Sequence, residues 1–90
     1  MIKNKRESLQ VIHDILKAIQ IGKTKPTHIM YKANLSHQML EYYLKDLISK
    51  ELISETKTSK GRIYALTDKG YNYIKEYKLI LGFMESYGLI

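Results

Sequence analysis

The chain has no cysteine, a single proline, and nine acidic residues against fifteen basic ones in 90 residues. Without cysteine there is no disulfide framework and no thiolate for catalysis or metal binding, which suits a reducing interior and equally a hot one. No stretch of ~18 apolar residues occurs, so a membrane-spanning helix is not expected. The basic start Met1-Ile2-Lys3-Asn4-Lys5-Arg6 leads into an amphipathic pattern rather than an apolar signal core. A cytoplasmic, unsecreted protein is the expectation. No glycine-rich phosphate loop and no nucleophile, base and orienting residue that a fold would bring together appear, so neither an enzyme nor a cofactor is expected. His13, His28 and His37 lack the spacing of a zinc site, and no metal is expected.

What is present is positive charge and helical periodicity. A formal charge of +6 and a pI near 9.5 suit a polyanionic partner, because Lys and Arg placed on phosphates release counterions. Ninety residues make one domain with a modest core, often completed by oligomerisation.

From Glu7 to Ile21, Leu9, Ile12, Leu16 and Ile19 fall on one face, widened by Val11, Ile15 and Ala18, and predict a first helix closed by Gly22. Pro26 opens a short second helix whose inward side is Ile29, Met30 and Ala33. Asn34 tolerates left-handed geometry, Leu35 plugs the turn into the core, and Ser36 caps a third helix over His37–Lys50. In that helix Leu40, Leu44 and Leu47 face the core, flanked by Tyr43, Met39 and Ile48, while Gln38, Glu41, Tyr42, Lys45 and Ser49 face outward. Leu52–Thr56 and Arg62–Leu66 read as strands joined by the basic loop Lys57-Thr58-Ser59-Lys60-Gly61. Thr67 then caps a last helix beginning Asp68-Lys69-Gly70.

This order predicts a mainly α protein with a small β-hairpin, a winged helix-turn-helix over residues 1–66 with a C-terminal dimerisation helix over 67–90, both in one domain. The last helix carries more apolar surface than a small domain covers, with Tyr73, Ile74, Tyr77, Ile80, Leu81, Met84 and Tyr87 expected to form a homodimer seam. Gly82 is read either as a point of close helix approach or as a kink or helix end.

The residues Lys32-Ala33-Asn34-Leu35-Ser36, Leu40-Glu41-Tyr42-Tyr43-Leu44-Lys45-Asp46-Leu47-Ile48, Lys50-Glu51-Leu52-Ile53 and Tyr64-Ala65-Leu66-Thr67-Asp68-Lys69-Gly70 resemble the archaeal winged helix-turn-helix DNA-binding proteins, especially the small dimeric Sulfolobus type and its relatives in archaeal viruses. The resemblance implies duplex DNA binding by a homodimer, with the third helix in the major groove and the wing near the backbone. The sequence departs from that pattern in its short C-terminal helix and in Glu51, where many members have Gly and a differently built turn is therefore expected.

On this reading the candidate DNA contacts are Ser36 and His37 at the helix start, Gln38 on adenine, Tyr42 on phosphate or a thymine methyl, and Lys45 on phosphate or guanine. Glu41 either reads a cytosine amino group or, by preference, pairs with Lys45 one turn on. In the wing, Lys57, Lys60 and Arg62 follow the backbone or enter the minor groove, helped by a mobile tip at Gly61. Lys25, Thr27, His28 and Lys32, with Lys3, Lys5 and Arg6, offer further backbone contacts, the last three doubling as a solubilising tail. The expected function is a transcriptional regulator. The alternatives are a non-sequence-specific architectural protein and a winged helix used as a protein-interaction module.

Overall fold

Six elements follow one another as α1 (Lys5–Gln20), α2 (Pro26–Ala33), α3 (His37–Ser49), β1 (Ile53–Thr58), β2 (Gly61–Leu66) and α4 (Asp68–Ser86) in a computed structural model that describes residues 5–89, with side chains from Ser8 onward. The expected roles of Lys3, Lys5 and Arg6 therefore fall outside what is described. The core gathers Ile15, Leu16 and Ile19 of α1, Ile29 of α2, Leu40, Leu44 and Leu47 of α3, Ile53 and Tyr64 of the hairpin, and Ile74 of α4. Each helix contributes the stripe that its 3.6-residue period brings to one side.

All four helices end in the same way. The amide of the left-handed residue bonds three back and the next amide bonds five back, which satisfies two terminal carbonyls. The left-handed residues are Gly22 (φ 101°), Asn34 (φ 56°), Glu51 (φ 63°) and Gly88 (φ 70°). The turn after α3 is thus built as a glycine would build it, contrary to the expectation drawn from Glu51. The Lys50–Leu52 segment keeps the geometry and places a non-glycine residue where its Cβ is crowded.

At the start of α4 the sequence Thr67-Asp68-Lys69-Gly70 closes on that same turn. The Thr67 hydroxyl donates to the Glu51 and Leu52 carbonyls (2.6 and 3.0 Å) and accepts from the Gly70 amide (3.1 Å). Lys69 Nζ donates to the Lys50 carbonyl at 2.8 Å. Gly70 is buried, and a Cβ there would run into the Leu52 carbonyl oxygen. Each residue of this tetrapeptide except Asp68 therefore touches the α3–β1 connection directly.

The hairpin is antiparallel, pairing Ile53 with Leu66 and Thr58 with Gly61. The strands run further than the sequence predicts, so the expected five-residue loop is a two-residue turn, Ser59-Lys60. Thr58 Oγ1 donates to the Gly61 carbonyl at 2.7 Å and accepts from the Lys60 amide at 3.1 Å, and the tip is pinned by these bonds. Tyr64 donates its amide to the Thr24 carbonyl at 2.9 Å, tying the α1–α2 connection to the edge of β2.

The first half of α4 lies against α1. Ile74 is 3% exposed and belongs to the core, Tyr73 donates to the Leu9 carbonyl at 3.3 Å, and Tyr77 donates to Gln10 Oε1 at 2.9 Å. The Tyr77 ring also stacks on His13 with centroids 4.3 Å apart. These three residues, expected in a dimer seam, are engaged within the chain, because the stripe that carries them faces α1. From Leu79 to Leu89 no residue is buried, and Ile80 (56%), Phe83 (63%) and Tyr87 (77%) stand open, with Leu81 and Met84 half-buried. The helix passes through Gly82 without ending there, and a Cβ at that position would meet open space.

Candidate nucleic-acid interface

The outer face of α3 is placed by the buried leucines behind it. Ser36 caps the helix, accepting from the Met39 amide at 3.2 Å, so its hydroxyl is already engaged structurally. His37, Gln38 and Lys45 are exposed along the outward side, and Tyr42 is half-open with its ring edge-on to Tyr43 at 5.3 Å. Lys25, Thr27 and Lys32 are exposed on α2, as are Lys57 and Lys60 on the wing.

Glu41 is half-buried and does not pair with Lys45. It takes the guanidinium of Arg62 on both oxygens, with Nη1 donating to Oε1 at 3.2 Å and Nη2 donating to Oε2 at 2.8 Å. Arg62 comes from β2, one residue past the tip pair Thr58–Gly61 and 21 residues away in sequence, so nothing local announces the pair. Glu55 lies 3.6 Å from the same guanidinium and accepts from the Tyr64 hydroxyl at 2.7 Å, while His37 stands 3.8 Å from Glu41. The hydrogen bonds from Arg62 hold the Glu41 carboxyl below the usual carboxylate range against the opposing effect of partial burial. Glu55 and Tyr64 did not figure among the candidate site residues. The only signal for them was the alternation that puts Tyr64 on the inner side of its strand.

This pairing brings the wing beside α3. Lys25 and Thr27 from the start of α2, His37 from the start of α3, and Lys60 and Arg62 from the wing line one cleft of about 320 Å³ over Met30 and Leu40. Three further exposed cations lie on the neighbouring elements: Lys45 further along α3, Lys57 on β1 and Lys32 on α2. The site is thus a basic, concave surface between a helix N-terminus and a hairpin, with an apolar floor and polar side chains projecting from α3. Such a surface fits a phosphate backbone followed into a groove. Among the described residues no group of three His, Asp or Glu could hold a metal ion, and no helix is long and apolar enough to cross a membrane.

Three helices, the tight α2–α3 turn and a two-stranded hairpin followed by a fourth helix define a winged helix fold. The family described as winged helix-turn-helix matches residues 5–85, and the chain belongs to it. Its fold is similar to that of Sso10a-2, a DNA-binding protein from Sulfolobus solfataricus, with a TM-score of 0.79 and 20% identity, covering 88% of this chain and 82% of that one. It is also similar to MepR in the S. aureus MepR–DNA complex, with a TM-score of 0.68 and 19% identity, over 87% of this chain and 58% of that one. In sequence it is 38% identical over 66 residues to an uncharacterised protein of Methanocaldococcus jannaschii, a match that spans 73% of this chain and 29% of that protein. The chain therefore matches less than a third of that relative's length.

Proposed function

We propose that the protein is a double-stranded DNA-binding transcriptional regulator that acts as a homodimer in the cytoplasm. Residues 36–50 enter the major groove and the wing, residues 57–62, lies on the backbone or minor groove. The observation that carries this reading is the cleft that joins the starts of α2 and α3 to the wing, with Lys25, His37 and Lys60 around it and Gln38, Tyr42 and Lys45 further along α3. A fold similar to a DNA-binding protein of Sulfolobus solfataricus supports it. Gln38, Tyr42 and Lys45 read bases, and Lys25, Thr27, Lys32, Lys57 and Lys60 grip phosphates. The exposed end of α4, with Ile80, Phe83 and Tyr87, pairs with its copy, because symmetric dimers are the cheapest way to cover such a face.

Selection from random duplexes followed by a salt series tests the proposal. A preferred sequence with two half-sites about one helical turn apart and a steep loss of affinity with salt is expected. Lys45→Ala lowers discrimination between duplexes, whereas Lys60→Ala weakens all duplexes alike and reduces the salt slope by about 1. Binding with no preferred sequence at any salt indicates an architectural coat. A monomer with negligible DNA affinity indicates a protein-interaction module.

A further inference from the structure

We propose that Glu41 is a specificity-determining residue that holds the wing arginine, Arg62, off DNA phosphates and so suppresses non-specific binding. This rests on the DNA-binding reading above. Glu41 sits in the middle of the outward face of α3, three residues after Gln38 and four before Lys45. An acidic side chain there faces a polyanion, so on charge alone it opposes binding. Each of its oxygens nevertheless already accepts a guanidinium bond from Arg62, at 2.8 and 3.2 Å.

A second carboxylate approaches the same guanidinium nitrogen that donates to Glu41 Oε1. Glu55 lies 3.6 Å from Nη1, and the ring of the buried Tyr64 lies 5.9 Å below the guanidinium carbon. Tyr64 fixes Glu55 in turn through its hydroxyl at 2.7 Å. For a phosphate to take Arg62, both Glu41 and Glu55 would lose their cation while next to the duplex. Arg bonds carboxylate and phosphate with the same two-pronged geometry, and here two carboxylates already stand at the donors that one phosphate would need. The pair is therefore neutral toward the duplex. It leaves the generic grip to Lys57 and Lys60, and makes tight binding depend on what α3 meets in the groove. The same pair spans α3 and the wing, so the selective face and the gripping face keep a fixed separation.

Fluorescence anisotropy with the full chain tests this, using a random-sequence duplex of about three helical turns and the best duplex from selection. Salt is varied between roughly 50 and 200 mM. Glu41→Gln is expected to bind the random duplex about 5-fold tighter and to steepen its salt slope by about one, because a released Arg62 neutralises one more phosphate. The ratio of selected to random affinity falls accordingly. Glu41→Ser, which cannot hold the guanidinium on two oxygens, does the same, and thermal melts confirm that both variants fold. The double variant Glu41→Gln with Arg62→Gln returns to the wild-type slope on the random duplex.

Three results overturn the inference while leaving the DNA-binding reading in place. The slope of both single variants stays at the wild-type value; or the double variant loses about one from the wild-type slope, which would put Arg62 on a phosphate already; or the double variant binds as tightly as Glu41→Gln, so that lost acidic repulsion suffices. A folded wild-type chain with no measurable affinity for either duplex at low salt overturns both readings together.

Discussion

The two halves of α4 are in opposite situations, and the more apolar one is the less covered. Up to Tyr77 the helix is held at every turn: Thr67 and Lys69 on the α3–β1 connection, Gly70 against the Leu52 carbonyl, Ile74 in the core, and Tyr73 and Tyr77 on α1. Beyond it, Leu79, Ile80, Phe83 and Tyr87 touch nothing that buries them. Periodicity reports that a face is apolar; it does not report which neighbour covers the face. The first half therefore belongs to the stability of the single chain, and the second is the face that the proposed dimer would cover.

Truncating the same side chain in each half gives the largest expected contrast. Ile74→Ala should cost about 2–5 kcal/mol by losing buried methylenes and leaving a cavity, whereas Ile80→Ala should leave monomer stability within about 0.5 kcal/mol. Urea melts at low protein concentration measure both. Sedimentation equilibrium should show only the Ile80 variant shifting association, and equal losses in the melts would erase the distinction.

Adding one methyl sharpens the comparison further. Gly70→Ala should destabilise by about 1–3 kcal/mol, since the obstacle is a backbone oxygen that cannot swing away. Gly82→Ala, with open space around it, should gain up to about 1 kcal/mol of helix propensity in the monomer. If two copies close at Gly82, the same substitution weakens the dimer while stabilising the isolated chain, a sign change that melts over a concentration series detect.

The turn on which the first half docks carries its own strain. Glu51→Gly should stabilise by roughly 0.5–1 kcal/mol by relieving the left-handed conformation, less what glycine loses in unfolded-state entropy. A thermal midpoint unchanged or lowered in the glycine variant would mean that Glu51 stabilises by another route.

The smallest effect sits where the halves meet. Among the described residues both ring nitrogens of His13, stacked on Tyr77, are buried without a hydrogen-bond partner. Burial holds the imidazole below its ordinary value near 6.5, aided by Lys17 and Lys78 and opposed by Asp14. The unfolded chain therefore binds a proton first as pH falls. This contribution is complete above the unfolded value and is lost progressively below it, toward the depressed folded value. Melts at pH 7.5 and near pH 5 should differ less in His13→Phe than in the wild type, and an identical pH dependence would assign the effect elsewhere.

Much of the helix-turn-helix was legible because its turns are local chemistry. Asn34, Ser36 and Thr67 occupy backbone positions that their side chains suit, Gly22 one that suits the lack of a Cβ, and each cap can be read from a few adjacent residues. The wing was less legible. Lys57 and Thr58 are exposed strand residues without a buried partner to mark them, so strand and loop look alike in sequence. The Glu41–Arg62 pair was illegible for a different reason: an i,i+4 lysine offered a local partner, and only the packed hairpin supplies the distant one. Tyr73 and Tyr77 read as interchain residues because the same seam continues into Ile80 and Tyr87, and sequence carries no mark of where the cover that α1 gives α4 ends.

The clamp of Thr67, Lys69 and Gly70 on the end of α3 also has a mechanical consequence. α4 is held up to Tyr77, and the residues from Lys78 to Ser86 project about 14 Å beyond that hold. A tilt of about 10° there would sweep the far end through roughly 2 Å over such a length. In the proposed dimer the far end is where the copies meet, so α4 acts as a lever arm. The stiffness with which α1 and the α3–β1 connection hold the first half of α4 would then set how widely two reading helices are spaced, and hence the separation of the sites they span.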